Sequence, residues 1–309
     1  MHYEINDTGS YHVNEIESLG WELTVCNTLE PGDSPCRKFL QTNTSYGNLL
    51  YQFLGRFIEF SRVRNTIEIG GGYGFLMRDF LMNNPGMNAT MLDISPFLLE
   101  KQKETLREFN VDFVEKNFLN CGTDFCRKFD LAVMNENLGD FPTVCSIDPE
   151  IAGLPLEDLD DTLLKVRTLI DKYILPVPGF IFHFNSGAIE AVEKLCTASV
   201  PYIFCAEHSC ESVTCPSSGR GLHSGRIPER IRLKGHDEFT IQFSFLERVA
   251  RAFGYTVTRG QVKDFIALVD SDELNFIMKS GSQKEGHEAV RQFVEDLYKY
   301  EYLILIKKK

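Results

Sequence analysis

The ten residues Thr66–Phe75, TIEIGGGYGF, constrain the fold more than any other part of this chain. An apolar run ends in glycines 70, 71 and 72, Gly74 follows, and a helical pattern starts at Phe75. A backbone that turns sharply, approaches a ligand closely and starts a helix at once has no room for side chains at the turn. The segment therefore reads as a strand, Asn65–Ile69, a G-x-G-x-G turn (Gly70, Gly72, Gly74) and a helix, Phe75–Met82, closed by Asn83-Asn84-Pro85-Gly86.

Strands and helices then alternate. Ala89–Ile94 reads as a second strand, and Ser95-Pro96 opens a helix to Phe109. Serine caps free N–H groups there, and proline loses nothing at the first helical position. Val111–Glu115 and Asp130–Met134 read as strands, Leu156–Tyr173 as a helix and Gly179–Phe184 as a fifth strand. This order predicts βαβ units and, given right-handed crossovers, an α/β Rossmann-like, doubly wound, mostly parallel sheet.

Upstream, Leu49, Leu50, Phe53, Leu54, Phe57 and Ile58 recur at helical spacing within Tyr46–Ser61. Residues 1–45 are polar and rich in turn signals, and read as an N-terminal extension lying over a core at 46–185. The rhythm breaks after Asn185, where cysteines and the segment CPSSGRGLHSGR appear, so 186–239 reads as an insertion or lid. Helices at Thr240–Phe253 and Gly286–Tyr298 and a last strand, Tyr300–Ile306, make 240–309 the part that completes the core.

With 309 residues, 43% of them hydrophobic, the chain can bury a sizeable core without staples. Its net charge of −12 argues against nucleic acid and anionic membranes as partners. The same charge suits a basic protein partner, or solubility alone. The opening MHYEINDTGS carries acids where a secretory leader needs a basic and then an apolar stretch. The longest charge-free apolar stretch, Tyr173–Ile189, is broken by Pro176, Pro178 and Gly179 and is too short to span a bilayer. A cytoplasmic protein with reduced thiols, despite nine cysteines, is the expectation.

Asp93 lies nineteen residues after Gly74, at the end of the second strand. A carboxylate there can accept hydrogen bonds from both hydroxyls of a ribose. The dinucleotide fingerprint G-x-G-x-x-G would need a third glycine where Phe75 stands. Glu68, two residues before the first glycine, adds negative charge that suits a cationic ligand. These features favour S-adenosyl-L-methionine (SAM) over a nicotinamide dinucleotide, and a glycine turn serving packing alone is the competing structural reading. By topology, Asn117 and Phe118 after the third strand reach the adenine, and Ile94 can cover one of its faces. Phe118 and Ile94 fit an apolar core equally well. The fourth strand runs into MNENLGDFPTV, where Asn135 and Glu136 are candidates to face the ligand crevice and Asp140 reads more simply as turn chemistry.

At this point EIGGGYGFLMRDF, MLDISPFLLEKQKETL and NENLGDFPTV resemble successive motifs of the MidA family of SAM-dependent methyltransferases. KGHDEFTIQFSFLERVARAFGYTV and the closing YEYLILIKK are also similar to that family, so the resemblance covers roughly residues 45–309, poorly between 186 and 233. It implies the class I methyltransferase fold, SAM as cofactor and a protein arginine as a possible class of acceptor, since the family includes a mitochondrial arginine methyltransferase that assists assembly of respiratory complex I.

Methyl transfer to nitrogen requires an oriented acceptor that sheds a proton, and Glu136 beside Asn135 can orient a guanidinium by paired hydrogen bonds. For an oxygen acceptor, His183 or His236 is the alternative base, although a lone histidine is more often structural. Cys205, His208, Cys210, Cys215 and His223 lie close in sequence, but without a paired C-x2-C spacing they read as buried thiols, and no metal is assigned. The acceptor itself, protein or small molecule, is not legible. A scaffold protein that keeps the fold without turnover, a small-molecule O- or N-methyltransferase and a nicotinamide oxidoreductase are the alternatives.

Overall fold

The structure, a computed structural model, describes residues 2–17, 24–213, 227–280, 282 and 284–308. The chain opens with β1 (Glu4–Asn6) and two short helices, α1 (Gly9–Asn14) and α2 (Val25–Thr28), and α3 (Tyr46–Leu54) leads into β2 (Asn65–Ile69). Then come α4 (Phe75–Asn83), β3 (Asn88–Asp93), α5 (Pro96–Thr105), β4 (Val111–Glu115), α6 (Thr123–Cys126) and β5 (Leu131–Asn135). They are followed by β6 (Thr143–Ile147), α7 (Asp161–Tyr173), β7 (Phe182–Phe184), α8 (Ser186–Thr197) and β8 (Tyr202–His208). A hairpin of β9 (Arg230–Arg232) and β10 (Asp237–Phe239) precedes α9 (Phe243–Ala252) and β11 (Tyr255–Gln261). The chain closes with α10 (Asp272–Ser280), α11 (Glu285–Lys299) and β12 (Tyr300–Lys307).

The central sheet has seven strands in the order β11-β12-β8-β5-β2-β3-β4. The five from β8 to β4 are parallel, and β12 runs antiparallel to both of its neighbours. From β2 the chain winds outward to β3 and β4, then returns to β5 and β8 on the other side. A crevice therefore opens between the carboxyl ends of β2 and β5, where such sheets bind ligands.

Successive side chains of a strand face opposite sides, so each strand feeds two cores. Ile67, Ile69, Ala132 and Met134 pack with Val166 of α7, Val192 of α8 and Leu246 of α9. Leu131, Val133 and Phe204 pack on the other face with Leu50 of α3, Phe80 of α4 and Val290 of α11. No helix among the described residues is long and apolar enough to cross a membrane.

The fifth parallel strand is not where the sequence pattern put it. Phe182–Phe184, within the expected strand Gly179–Phe184, pairs antiparallel with β6 in a small sheet completed by β1. The central position belongs to β8, inside the segment expected to be an insertion or lid. Ile203, Phe204, Cys205 and Ala206 are fully buried, as a strand covered on both faces requires. Its cysteine diverted the reading toward a thiol cluster. The insertion 186–239 is corrected accordingly: Ser186–His208 is core, 227–239 carry the β9–β10 hairpin, and 214–226 fall outside the described residues.

α5 begins as expected, with Pro96 at its first turn and the Ser95 hydroxyl accepting from the Leu98 N–H at 3.3 Å. Ser95→Ala should cost about 1 kcal/mol. Urea denaturation would read this as a lower midpoint at unchanged slope.

Candidate functional site

The glycine turn joins β2 to α4 with φ of +65° at Gly70, +52° at Gly72 and +83° at Gly74, the left-handed region that side chains disfavour. Space is short as well. A Cβ on Gly70 would lie 2.6 Å from Asn137 Nδ2, and one on Gly71 would lie 2.3 Å from Met91 Cε. Gly71, outside the G-x-G-x-G spacing, is limited by space alone, against the end of the Met91 side chain and Glu68. Gly74 sits at the start of α4 and packs toward Gln102 and Leu106 of the α5 region.

Over the carboxyl ends of the parallel strands lies a cavity of about 1040 Å³, counting the open solvent at its mouth. Glu68, Gly70 and Gly72 border it from β2 and its turn, and Asp93 and Ile94 from the end of β3. Asn117 and Phe118 border it after β4, and Asn135 and Glu136 at the end of β5. Of the candidate cofactor and catalytic residues, Gly74 does not reach it. The N-terminal segment supplies the remaining cover through Thr8, His12, Cys26 and Asn27.

Two carboxylates face each other across the turn. Glu68 is 2% exposed, and burial, then the charge of Asp93, push its carboxyl up to about 8 against a partial offset by the Met77 N–H. Its Oε2 has no hydrogen-bond partner among the described residues. Asp93 accepts from the Ser95 N–H and from Gln102 Nε2, each at 2.9 Å. The same Gln102 amide donates to the Gly72 carbonyl at 3.0 Å, which ties the acid to the turn. Burial raises Asp93 to about 6, with those two donors working against it. Asn117 accepts from the Leu119 N–H at 2.8 Å through Oδ1, which leaves its NH2 group available.

At the end of β5 the Tyr46 hydroxyl donates to Asn135 Oδ1 at 2.6 Å, and Asn135 Nδ2 donates to Glu136 Oε1 at 3.1 Å. Glu136 adopts φ +57° and caps α2. It accepts from the Val25 N–H at 2.8 Å and the Cys26 N–H at 3.2 Å, the free amides of a helix start. Burial still raises its carboxyl to about 7 despite these donors. Three donors leave one lone pair, on Oε2, so Glu136 fastens the N-terminal segment over the cavity and is not the free clamp that the sequence reading gave it. Sequence reasoning missed Asn137, whose Nδ2 donates to the Ile69 carbonyl and whose Oδ1 has no partner among the described residues. The N-E-N run was its signal.

Asp140 is also part of this region, against the turn reading. It borders the cavity and accepts a 2.8 Å contact from His12 Nε2, with His236 Nε2 at 3.8 Å. His12, in the N-terminal extension, carried no sequence signal. His183 lies on β7, outside the central sheet, and accepts from the Ser146 N–H at 3.2 Å through Nδ1, so it is no base for this cavity. The thiol cluster does not assemble among the described residues. Cys205 faces the core shared with α8, whereas His208 lies against Tyr300 on the opposite face of β8. Cys210 Sγ donates to the Ile241 carbonyl, and Cys215 and His223 fall outside the described residues.

Residues 67–169 match a family model described as a methyltransferase domain. No curated protein matches the sequence. Among solved structures the chain is similar to an uncharacterized ACR superfamily protein from Burkholderia thailandensis, at 12% identity and a TM-score of 0.52, over 94% of this chain and 87% of that one. It is also similar to an O-methyltransferase family protein from the same organism, at 12% identity and a TM-score of 0.43, over 84% of this chain. The chain spans 55% of that protein's length. A plantazolicin methyltransferase solved in complex with SAH matches at 11% identity and a TM-score of 0.43, over 93% and 95% of the two chains. The matched family segment runs from β2 into α7 and so contains the glycine turn, Asp93, Asn135 and Glu136.

Proposed function

We propose that the protein is a methyltransferase that uses S-adenosyl-L-methionine. The observation that carries this reading is Glu68, a buried carboxyl at the foot of the glycine turn whose Oε2 has no hydrogen-bond partner among the described residues. A ligand bearing positive charge supplies what that oxygen lacks. The G-x-G-x-G spacing, with Phe75 where a dinucleotide fingerprint has its third glycine, speaks against a dinucleotide.

When bound, the cofactor supplies a methyl group on a sulfonium for in-line displacement. The chain's own residues hold and orient. Asp93 accepts from the ribose hydroxyls, Ile94 and Phe118 flank the adenine, and the Asn117 NH2 group meets the adenine edge. Glu68 supplies charge on the cationic side. Asn135 and the remaining lone pair of Glu136 face the acceptor, while the N-terminal segment that Glu136 fastens excludes water. The MidA resemblance makes a protein arginine the first acceptor class to test, with small-molecule oxygen and nitrogen acceptors beside it.

Calorimetry with S-adenosylhomocysteine should give one site per chain, and NAD should give none. NAD binding with no S-adenosylhomocysteine binding overturns the reading. Labelled methyl transfer to arginine peptides then tests the acceptor. Cofactor binding without transfer to them moves the acceptor to another class.

A further inference from the structure

Two imidazoles and two carboxylates from three separate stretches of chain meet at the wall of the cavity. His12 comes from α1, Asp140 from the turn after β5, and His236 and Glu238 from the β9–β10 hairpin. His12 Nε2 lies 2.8 Å from Asp140 Oδ1, His236 Nε2 lies 3.8 Å from the same oxygen, and His236 Nε2 lies 3.1 Å from Glu238 Oε1. Ligand atoms about 2.1 Å from one ion stand roughly 3.0–3.4 Å from each other in octahedral or tetrahedral geometry. The observed separations straddle that range.

The surroundings fit as well. The four side chains are 12%, 25%, 12% and 20% exposed in the order His12, Asp140, His236, Glu238, sheltered yet reachable. Tyr11 stacks on His236 at 4.2 Å and 21°, which fixes its ring. Glu207 adds a further buried carboxylate nearby. Pairwise hydrogen bonds account for each contact in turn, but they leave carboxylates in excess of cations in a buried place.

We propose that His12, Asp140 and His236 bind one divalent first-row transition-metal ion, with Glu238 beside His236 as an outer partner. Mixed imidazole and carboxylate donors suit zinc, manganese, iron, cobalt or nickel over calcium or cuprous ion. His12 and Asp140 also border the cofactor cavity, so the ion faces it and can take an acceptor oxygen or nitrogen in an open position. That last step rests on the methyl-transfer reading, and the metal site does not.

The test uses the full chain, stripped with chelator, dialysed and titrated without cofactor, with zinc followed by calorimetry and cobalt by its visible absorption. One ion per chain is expected, with His12→Ala and His236→Ala each weakening affinity at least about 100-fold. Circular dichroism checks that the variants fold. Glu238→Gln keeps side-chain volume, serves if a histidine variant does not fold, and should weaken binding about 10-fold or more. No binding by the unaltered protein overturns the site. So does unchanged affinity in the folded variants, which places the ion elsewhere in the chain.

Discussion

Asp93→Ala is expected to weaken binding of S-adenosylhomocysteine at least about 100-fold. The proposed role is to accept two ribose hydroxyls on one carboxylate, and hydrogen bonds to a charged group contribute about 1.5–3 kcal/mol each. At about 1.4 kcal/mol per decade, losing both exceeds two decades. The carboxylate already accepts from the Ser95 N–H and Gln102, so the substitution also loosens the start of α5. Ser95→Ala separates the two effects. It loosens the same helix start and keeps the carboxylate, so its affinity should stay within about threefold of the unaltered protein. Equal losses in the two variants would assign the effect to α5 packing, and an unchanged affinity in Asp93→Ala would remove Asp93 from the site.

What the sequence made legible follows local rules. β2 and β4 start and end where periodicity and turn residues put them, and α5 starts at its serine cap and N1 proline. Residues chosen at strand ends share one cavity because a parallel sheet brings every carboxyl end to the same side. Long-range pairing is what a pattern does not carry. Phe182–Phe184 and Tyr202–His208 are both short apolar runs after turn residues, and only packing decides which enters the central sheet. His12 and Glu136 show the same limit. Nothing local to HVN tells that a histidine reaches Asp140, and nothing local to NEN tells that the glutamate caps a helix more than a hundred residues upstream. Glu136 was chosen because it sits at a strand end, and that placement is right. Its hydrogen-bond partners come from a segment whose position no periodicity encodes.

Glu68→Gln should stabilise the ligand-free protein at pH 8 and weaken cofactor binding there, opposite signs from one substitution. Burial raises the Glu68 carboxyl from an ordinary 4.5 to about 8 in the folded chain. Folding therefore takes up a proton between those values. The stability this group contributes is present in full below about pH 4.5 and is lost as pH rises through about 8. At pH 8 and above, its buried charge costs about 5 kcal/mol at most. The glutamine keeps a carbonyl oxygen for the Met77 N–H and carries no charge, so this cost vanishes. The unaltered protein should melt several degrees lower at pH 8 than at pH 6, and the variant should show a shallower fall. Asp93 and Glu136, raised by burial to about 6 and about 7, keep a residual slope in both proteins. Cofactor binding must run the other way. A cationic ligand favours the ionised carboxylate, so affinity in the unaltered protein should rise from pH 6 to pH 8, and the Glu68-dependent part of that rise should be missing from the variant. Melting curves at the two pH values and calorimetry with SAM decide it. Parallel melting slopes together with equal affinities at both pH values would mean that Glu68 is neither a strained charge nor a partner for the cofactor.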